Sequence, residues 1–299
     1  MWSASVGATE VTDPQPTSHE ACVDFLKWLL PLHGLHWRGY RKVHRLVCKR
    51  LARRLAELGL TKPSEYRTWL AAHTDESAHL QAMLRIPISR FYRDRDVFQA
   101  IAATVLPTLG ASAMRMGVGS IRCWSAGCAS GEEPYTLLLV WHFLLASDWP
   151  RLNLRIIATD ADDVMISRAQ AACYGASSLE DLPQAWITQA FQQAAGLLCL
   201  SSAFRSQVDF RLQDITQAMP DELFEIVLCR NLVFTYFDEK QQRLVLARIL
   251  DRLAPGGFLV LGKHEVLPPG SDRLAQVVPK LPMYRQITED ALEPRLTLR

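Results

Sequence analysis

Apolar positions in the first part of the chain recur three and four residues apart, the spacing of helices with one buried face. "ACVDFLKWLLPLHGL" reads as a short apolar helix stopped near Pro31 and Gly34. In "YRKVHRLVCKRLARRLAELGL", Tyr40, Val43, Val47, Leu51, Leu55 and Leu58 share one face, and Gly59 stands as a C-cap. "KPSEYRTWLAAH" and "DESAHLQAML" are expected to start at cap residues Ser64 and Asp75. The pattern predicts a small all-helical domain over 19–86. Before it, residues 1–18 are polar and carry two prolines, which predicts a disordered lead-in.

After Gly117 the period changes. "SIRCWSAG", "NLRIIATD", "VDFRLQD", "FEIVLCRN" and "GGFLVLGKH" are short β-rich apolar runs. Helix-like stretches such as "EPYTLLLVWHFLLA", "ADDVMISRAQAACYG" and "DEKQQRLVLARILDRLA" separate most of them. Strands alternating with helices predict an α/β domain over 87–299, with a doubly wound, mostly parallel sheet. Such sheets take ligands outside the carboxyl ends of their strands, so the polar residues there are the candidates for chemistry.

Composition narrows the class without choosing it. A chain of 299 residues, 49% hydrophobic and 21% charged, has room for a substantial core and one large or two ordinary domains. A formal charge of +2 favours no partner, so any docking surface must be local. The seven cysteines are scattered, mostly in apolar runs, and are expected as plain buried thiols in a reducing cytoplasm. Cys123 and Cys128 flank a small-residue turn without a zinc spacing, so no metal site is expected. No apolar run is expected to approach the ~20 residues of a membrane span, and no basic-then-apolar leader is read before Ala21.

The strand ends carry one constellation. "CWSAGCASGEEPYTLLL" strips side chains from the turn after the first strand, then sets Glu132 and Glu133 at the start of a helix. A phosphate cradle needs bare amides at a helix start, and acids there would repel it. Gly127 and Gly131 also miss the spacing of a dinucleotide turn, so a tight strand-to-helix connection is the plainer alternative. Asp160 closes "RIIATD", where an acid can accept from both ribose hydroxyls or cap the next helix. Asp214 and Ile215 suit an adenine, one as acceptor for its amino group and one as apolar wall. Arg230 and Asn231 end "VLCRN" and converge on the same crevice. A bare turn, a ribose acid, an adenine pair and an acid at the helix start suit S-adenosylmethionine, whose ammonium would face Glu132. Nicotinamide cofactors fit less well.

These residues carry a resemblance to the CheR-type methyltransferases, which use S-adenosylmethionine to methylate glutamates of bacterial chemoreceptors. It runs from about 21 to about 285 and rests on "RFYRDRDVF", "WSAGCASGEEPY", "ATDADDVMISRAQAACY", "LCRNLVFTYFD" and "LAPGGFLVLGKHE" in that order. It implies a helical N-terminal domain followed by a Rossmann-like methyltransferase domain. Ser89, Arg93, Glu132, Asp160, Asp214, Ile215, Arg230 and Asn231 match positions that contact the cofactor in the family, with Gly127 in the bare turn beside them. Arg93 and the tyrosine after the CRN run would lie beside the transferred methyl. The departures fall on the acceptor side. Ser89 to Arg93 replaces the family's T-x-F-F-R, and Lys263-His264 changes the G-H-S-E run. Four residues rather than three separate Asn231 from Tyr236, so either a bulge delivers Tyr236 or Thr235 takes its place.

A glutamate acceptor is already ionised near pH 7, so the transfer needs positioning and water exclusion rather than a base. Arg93 would orient the carboxylate with its planar fork, unless it is only a surface partner of Asp94 or Asp96. Lys42, Arg45, Lys49 and Arg53 form a stripe opposite the apolar helix face, either a solvated face or a dock for an acidic helical, chemoreceptor-like protein. No aromatic residues interleave with it, which disfavours nucleic acid. The family inserts a small β-subdomain, here about 175–208, that binds a receptor's C-terminal tether in some members. With only "QQAAG" joining its helical and strand-like parts, tether binding is not expected here. The resulting expectation is a cytoplasmic protein-glutamate O-methyltransferase whose product is S-adenosylhomocysteine. Its rivals are a same-fold enzyme for a small molecule or non-receptor protein, and a silent module that senses the cofactor.

Overall fold

Residues 19–287 are described by the computed structural model; the expected lead-in, 1–18, lies outside them. The chain divides into two units between Ile86 and Pro87.

In the first unit the helical periodicity becomes helices at His19–Leu32, Trp37–Tyr40, His44–Glu57, Pro63–Ala72 and Ser77–Leu84. The first buries Phe25, Leu26, Leu29 and Leu30, and the long third helix buries Val47, Leu51 and Leu55. Both expected caps are displaced. The fourth helix starts at Pro63, where Glu65 accepts from the N–H groups of Thr61 (2.8 Å) and Lys62 (3.1 Å). Asp75 belongs to a 3-10 turn, Thr74–Glu76, which leads into the fifth helix. That turn carries a buried acid. Both ends of the Arg54 fork donate to the Glu76 carboxylate at 2.8 and 2.6 Å, and the Tyr66 hydroxyl donates at 2.6 Å. The Arg54 hydrogen bonds hold the Glu76 pKa down at about 2, against the burial that would raise it.

Among its described residues the second unit has ten strands: β1 (Ser120–Ala126), β2 (Asn153–Asp160), β3 (Cys173–Tyr174), β4 (Phe191–Ala194), β5 (Leu197–Leu200), β6 (Val208–Leu212), β7 (Phe224–Cys229), β8 (Leu253–Leu261), β9 (Leu274–Gln276) and β10 (Met283–Gln286). Seven of them form one sheet in the order β6-β2-β1-β7-β8-β10-β9. The first five in that order run parallel, and β10 is antiparallel to both of its neighbours. Both faces are covered. Ile121 and Cys123 of β1 lie in one apolar cluster, and Trp124 and Ala126 lie in another. The Glu132–Leu144 helix buries nearly all its apolar residues, as a helix that is hydrophobic all round must. The expected α/β architecture, a mostly parallel sheet that follows a helical N-terminal part in the sequence, is the one observed.

The sequence pattern passed over a helical stretch, Arg95–Met116, which is long and apolar enough to cross a membrane by length and composition. It buries Val97, Phe98, Ile101, Val105, Leu106, Leu109 and Ala113 in the core. A π-helical segment, Ile101–Val105, precedes Pro107, the residue that cannot donate to a regular helix.

Two further expectations are corrected. Four of the cysteines are paired rather than plain thiols: Cys22 with Cys48, joining two helices of the first unit, and Cys173 with Cys199, register partners on antiparallel β3 and β5. Cys123, Cys128 and Cys229 are free and buried. "QQAAG" is not a bare joint, because Gln192, Gln193 and Ala194 belong to β4. Ala195 and Gly196, both at positive φ, turn the chain into β5 within a three-stranded sheet ordered β3-β5-β4.

Candidate active site

The carboxyl ends of β1, β2 and β7, with the segment after β6, carry all the sequence-selected site residues except Ser89 and Arg93, which precede β1. The turn after β1 is fixed from β2. Gly127 and Cys128 donate their N–H groups to the Thr159 carbonyl at 2.8 and 3.0 Å. Gly127 has φ +77°, and a Cβ there would stand 2.5 Å from Leu232. Gly131 has φ +91° and abuts Ala169 and Phe210. The turn is bare because both backbone conformation and packing forbid side chains.

Asp160 clips this turn to the end of β2. Its carboxylate accepts from the N–H of Ala129 (2.9 Å) and of Asp162 (3.0 Å). The capping role open to it falls instead to Asp162, which accepts from Val164 and Met165. Glu132, 4% exposed at the helix start, accepts from Ser130 Oγ at 2.9 and 3.0 Å and from Ser178 Oγ at 3.4 Å. Asp214 accepts from the N–H (2.8 Å) and hydroxyl (2.6 Å) of Thr216, opening the turn that leaves Ile215 buried as an apolar wall.

Arg230 points inward. It donates to Glu133 at 3.1 Å and, at 2.9 Å each, to the Asp94 carboxylate and the Arg93 carbonyl. Its Nε is buried with no partner among the described residues. Burial pushes the Glu133 pKa up, opposed by the Arg230 charge and by the Ser125 hydroxyl, which donates at 2.7 Å. Arg230 therefore fastens the 93–94 segment to the sheet, with Tyr92 and Asp94 both at positive φ.

The alternative reading of Arg93 as a partner of Asp94 or Asp96 is not what forms. Asp94 pairs with Arg230, Asp96 pairs with Lys263 at 2.6 Å, and Arg93 donates to the Ile88 carbonyl at 2.8 Å. Ser89 is half-buried in the same segment. After β7, Asn231 adopts φ +58°, and Val233–Tyr236 forms one helical turn, so no bulge is needed to take up the extra residue. The Thr235 hydroxyl donates to Glu265, whereas the Tyr236 phenol is raised by burial and opposed by the Arg93 charge. Arg93 and Tyr236 thus lie within electrostatic reach of each other.

Glu265 was given no role from the sequence, and Glu133 and Asp94 were named there without their pairing to Arg230. The acid doublet at the helix start, the alternating "RDRD" and the run "GKHE" were the available signals. Among the described residues, no three His, Cys, Asp or Glu are grouped to hold a metal.

The chemistry of this rim fits the expected cofactor. Glu132, Asp160 and Asp214 surround a turn without a basic side chain, an arrangement for a positively charged adenosyl compound rather than a pyrophosphate. Known proteins agree. The family described as "CheR methyltransferase, SAM binding domain" matches residues 88–281, well over half of the chain. A chemotaxis protein methyltransferase 2 from Vibrio cholerae is 30% identical, over 73% of this chain and 76% of its own. A chemotaxis protein methyltransferase from Listeria monocytogenes is 28% identical, over 65% and 71%. An uncharacterized 104.1 kDa protein from Rhodobacter capsulatus is 32% identical over 74% of this chain, which spans only 23% of that protein's length. Among solved structures, the N-methyltransferase NodS from Bradyrhizobium japonicum overlaps at 16% identity and a TM-score of 0.33, over 61% of this chain and 88% of its own. Fold, rim and family match define the sheet unit as an S-adenosylmethionine-binding methyltransferase domain. More narrowly, the chain belongs to the CheR methyltransferase family.

Proposed function

We propose that the protein transfers a methyl group from S-adenosylmethionine to a glutamate side chain of a chemoreceptor-like protein. The observation that carries this is the match of residues 88–281 to the CheR methyltransferase domain, and it is supported by the Arg93 charge bearing on the buried Tyr236 phenol. S-adenosylmethionine supplies the methyl group when bound. Asp160 would accept from its ribose, Glu132 from its ammonium and Asp214 from its adenine, with Ile215, Gly127, Ser89, Arg230 and Asn231 completing the site.

The acceptor carboxylate is a nucleophile at neutral pH and needs no proton removed. Arg93 orients it through its fork, and the Tyr236 hydroxyl donates to the same group. Thr235 is disfavoured for that role because its hydroxyl donates to Glu265. Partner choice is read from the first unit. Lys42, Arg45, Lys49 and Arg53 are all exposed on or beside the long helix, a stripe suited to an acidic helical substrate. The names of the Vibrio and Listeria relatives support a chemotaxis setting.

The test is incubation with methyl-labelled cofactor and an acidic receptor fragment. A base-labile label on glutamate is the expected result. Label on a small acid alone would move the reading to a small-molecule enzyme. Cofactor binding with no labelled product from cell extract would leave a sensing module.

A further inference from the structure

Cys229 and Leu261 are the last register partners of β7 and β8, and beyond them the two chains part. Parting strands leave backbone N–H groups without the carbonyls that would have followed in the ladder, and a buried N–H left unmet is costly. A side chain supplies the acceptor here. Glu265 Oε2 accepts from the N–H of Asn231 at 2.8 Å and of Gly262 at 2.7 Å, and its Oε1 accepts from the Thr235 hydroxyl. Glu265 is 6% exposed, and its own N–H closes the turn onto the Gly262 carbonyl at 2.8 Å. The knot has no slack. A Cβ at Gly262 would stand 2.0 Å from the Asn231 side-chain Nδ2 and 2.9 Å from Glu265 Oε2.

We propose that Glu265 is a positioning residue for methyl transfer, its carboxylate standing in for the missing strand carbonyls and so fixing Asn231 on the cofactor side and Tyr236 on the acceptor side. The inference rests on the reading of those two residues given under Proposed function. Glu265 is no base in this scheme, because both of its oxygens are engaged by donors of the protein. Its bonds to Asn231 and Thr235 span the segment that ends in Tyr236. Loss of the acceptor therefore disturbs both sides at once, whereas loss of Thr235 alone disturbs the tyrosine turn.

The test uses the full chain with Glu265→Ala, Glu265→Gln and Thr235→Val. Calorimetry with S-adenosylhomocysteine gives Kd, labelled transfer to an acidic receptor peptide gives kcat and KM, and a melting curve checks folding. Glu265→Ala is expected to weaken Kd about tenfold and lower kcat about a hundredfold, because two buried donors are orphaned together. Glu265→Gln is expected to return Kd to within about threefold, since an amide oxygen still accepts both N–H groups and the Thr235 hydroxyl can reverse its role. Thr235→Val should keep Kd and lower kcat about fivefold.

A Glu265→Ala protein folded at the assay temperature, with Kd and kcat within about twofold of the parent, overturns the proposal. So does a Gln variant as damaged as Ala. If Glu265→Ala does not fold, Thr235→Val decides, and an unchanged kcat overturns it. A parent that binds S-adenosylhomocysteine but methylates no acidic acceptor would instead sink the acceptor reading, and the Kd comparison would still judge the cofactor side of the proposal.

Discussion

The helical unit and the sheet unit each bury acids beside an arginine, and the two arrangements do different work. In the helical unit two donors of the Arg54 fork meet Glu76 and the remaining one reaches the exposed Glu57, Tyr66 adds a third donor to Glu76, and that carboxylate is held ionised with a pKa of about 2. In the sheet unit Arg230 divides its donors among Glu133, Asp94 and a backbone carbonyl, and burial lifts the Glu133 pKa despite the cation. Glu265 too is raised by burial although three donors oppose it. A fork turned two-handed on one buried acid joins helix to turn and closes a fold. A fork shared among three acceptors holds loops in place, and those loops carry Arg93 and lie beside the bare turn.

The largest effect expected from this difference is that of Arg230→Met. It leaves Glu133 and Asp94 facing each other across a buried gap without a cation, a change that costs about 3–5 kcal/mol where one partner of a buried pair is lost. Denaturant unfolding should place that loss in the sheet unit, as faster amide exchange along β1 and β7, with the helical unit's amides unchanged. A loss below about 1 kcal/mol would show that the shared fork is replaceable and would break the comparison.

Acid sharpens the comparison because the signs are opposite. The Glu76 pKa is depressed from 4.5 to about 2 in the folded state, so its contribution is present above the unfolded value and is lost as pH falls from about 4.5 toward 2. The full shift corresponds to about 3 kcal/mol. The Glu133 and Glu265 pKa values are raised, so what they contribute is present below the unfolded value and is lost as pH rises through the folded one. Amide exchange corrected for intrinsic rates should therefore show the helices around Tyr66 loosening first below pH 4.5, with Glu76→Gln abolishing that dependence. Earlier loosening around Asn231 would reverse the assignment.

The sequence made one region more legible than the other for a physical reason. Periodicity reports burial, so Val47, Leu51 and Leu55 could be placed on a buried face, and the strand ends could be located from the alternation of runs. Asp160, Asp214 and Asn231 follow from those ends. What periodicity cannot report is which acid meets which cation across long separations. Glu133 and Arg230 are 97 positions apart, and nothing local pairs them. The same holds for Cys22 and Cys48, each of which looks like an ordinary apolar residue of its own helix until the helices pack. In the Arg95–Met116 stretch Pro107 sits inside the helical run, and the wider π turn before it lets the helix continue.

The smallest expected effect concerns charges that no acid among the described residues meets in an ion pair. Lys42, Arg45 and Lys49 are exposed, in contrast to the buried forks, so reversing all three to Glu should leave melting temperature and cofactor affinity at the parental values. If the stripe steers an acidic substrate, kcat/KM for a protein acceptor should fall about five- to tenfold at low ionic strength. The deficit should shrink to less than about twofold in 1 M salt, where the screening length is ~3 Å. A methylated small acid measured beside it serves as the control, since a small substrate has no extended surface to dock. Equal kcat/KM for parent and variant across the salt series would leave the stripe a solvated face. A deficit that persists in high salt would point to contacts at short range instead, and would place the stripe nearer in kind to Arg54 than to a steering surface.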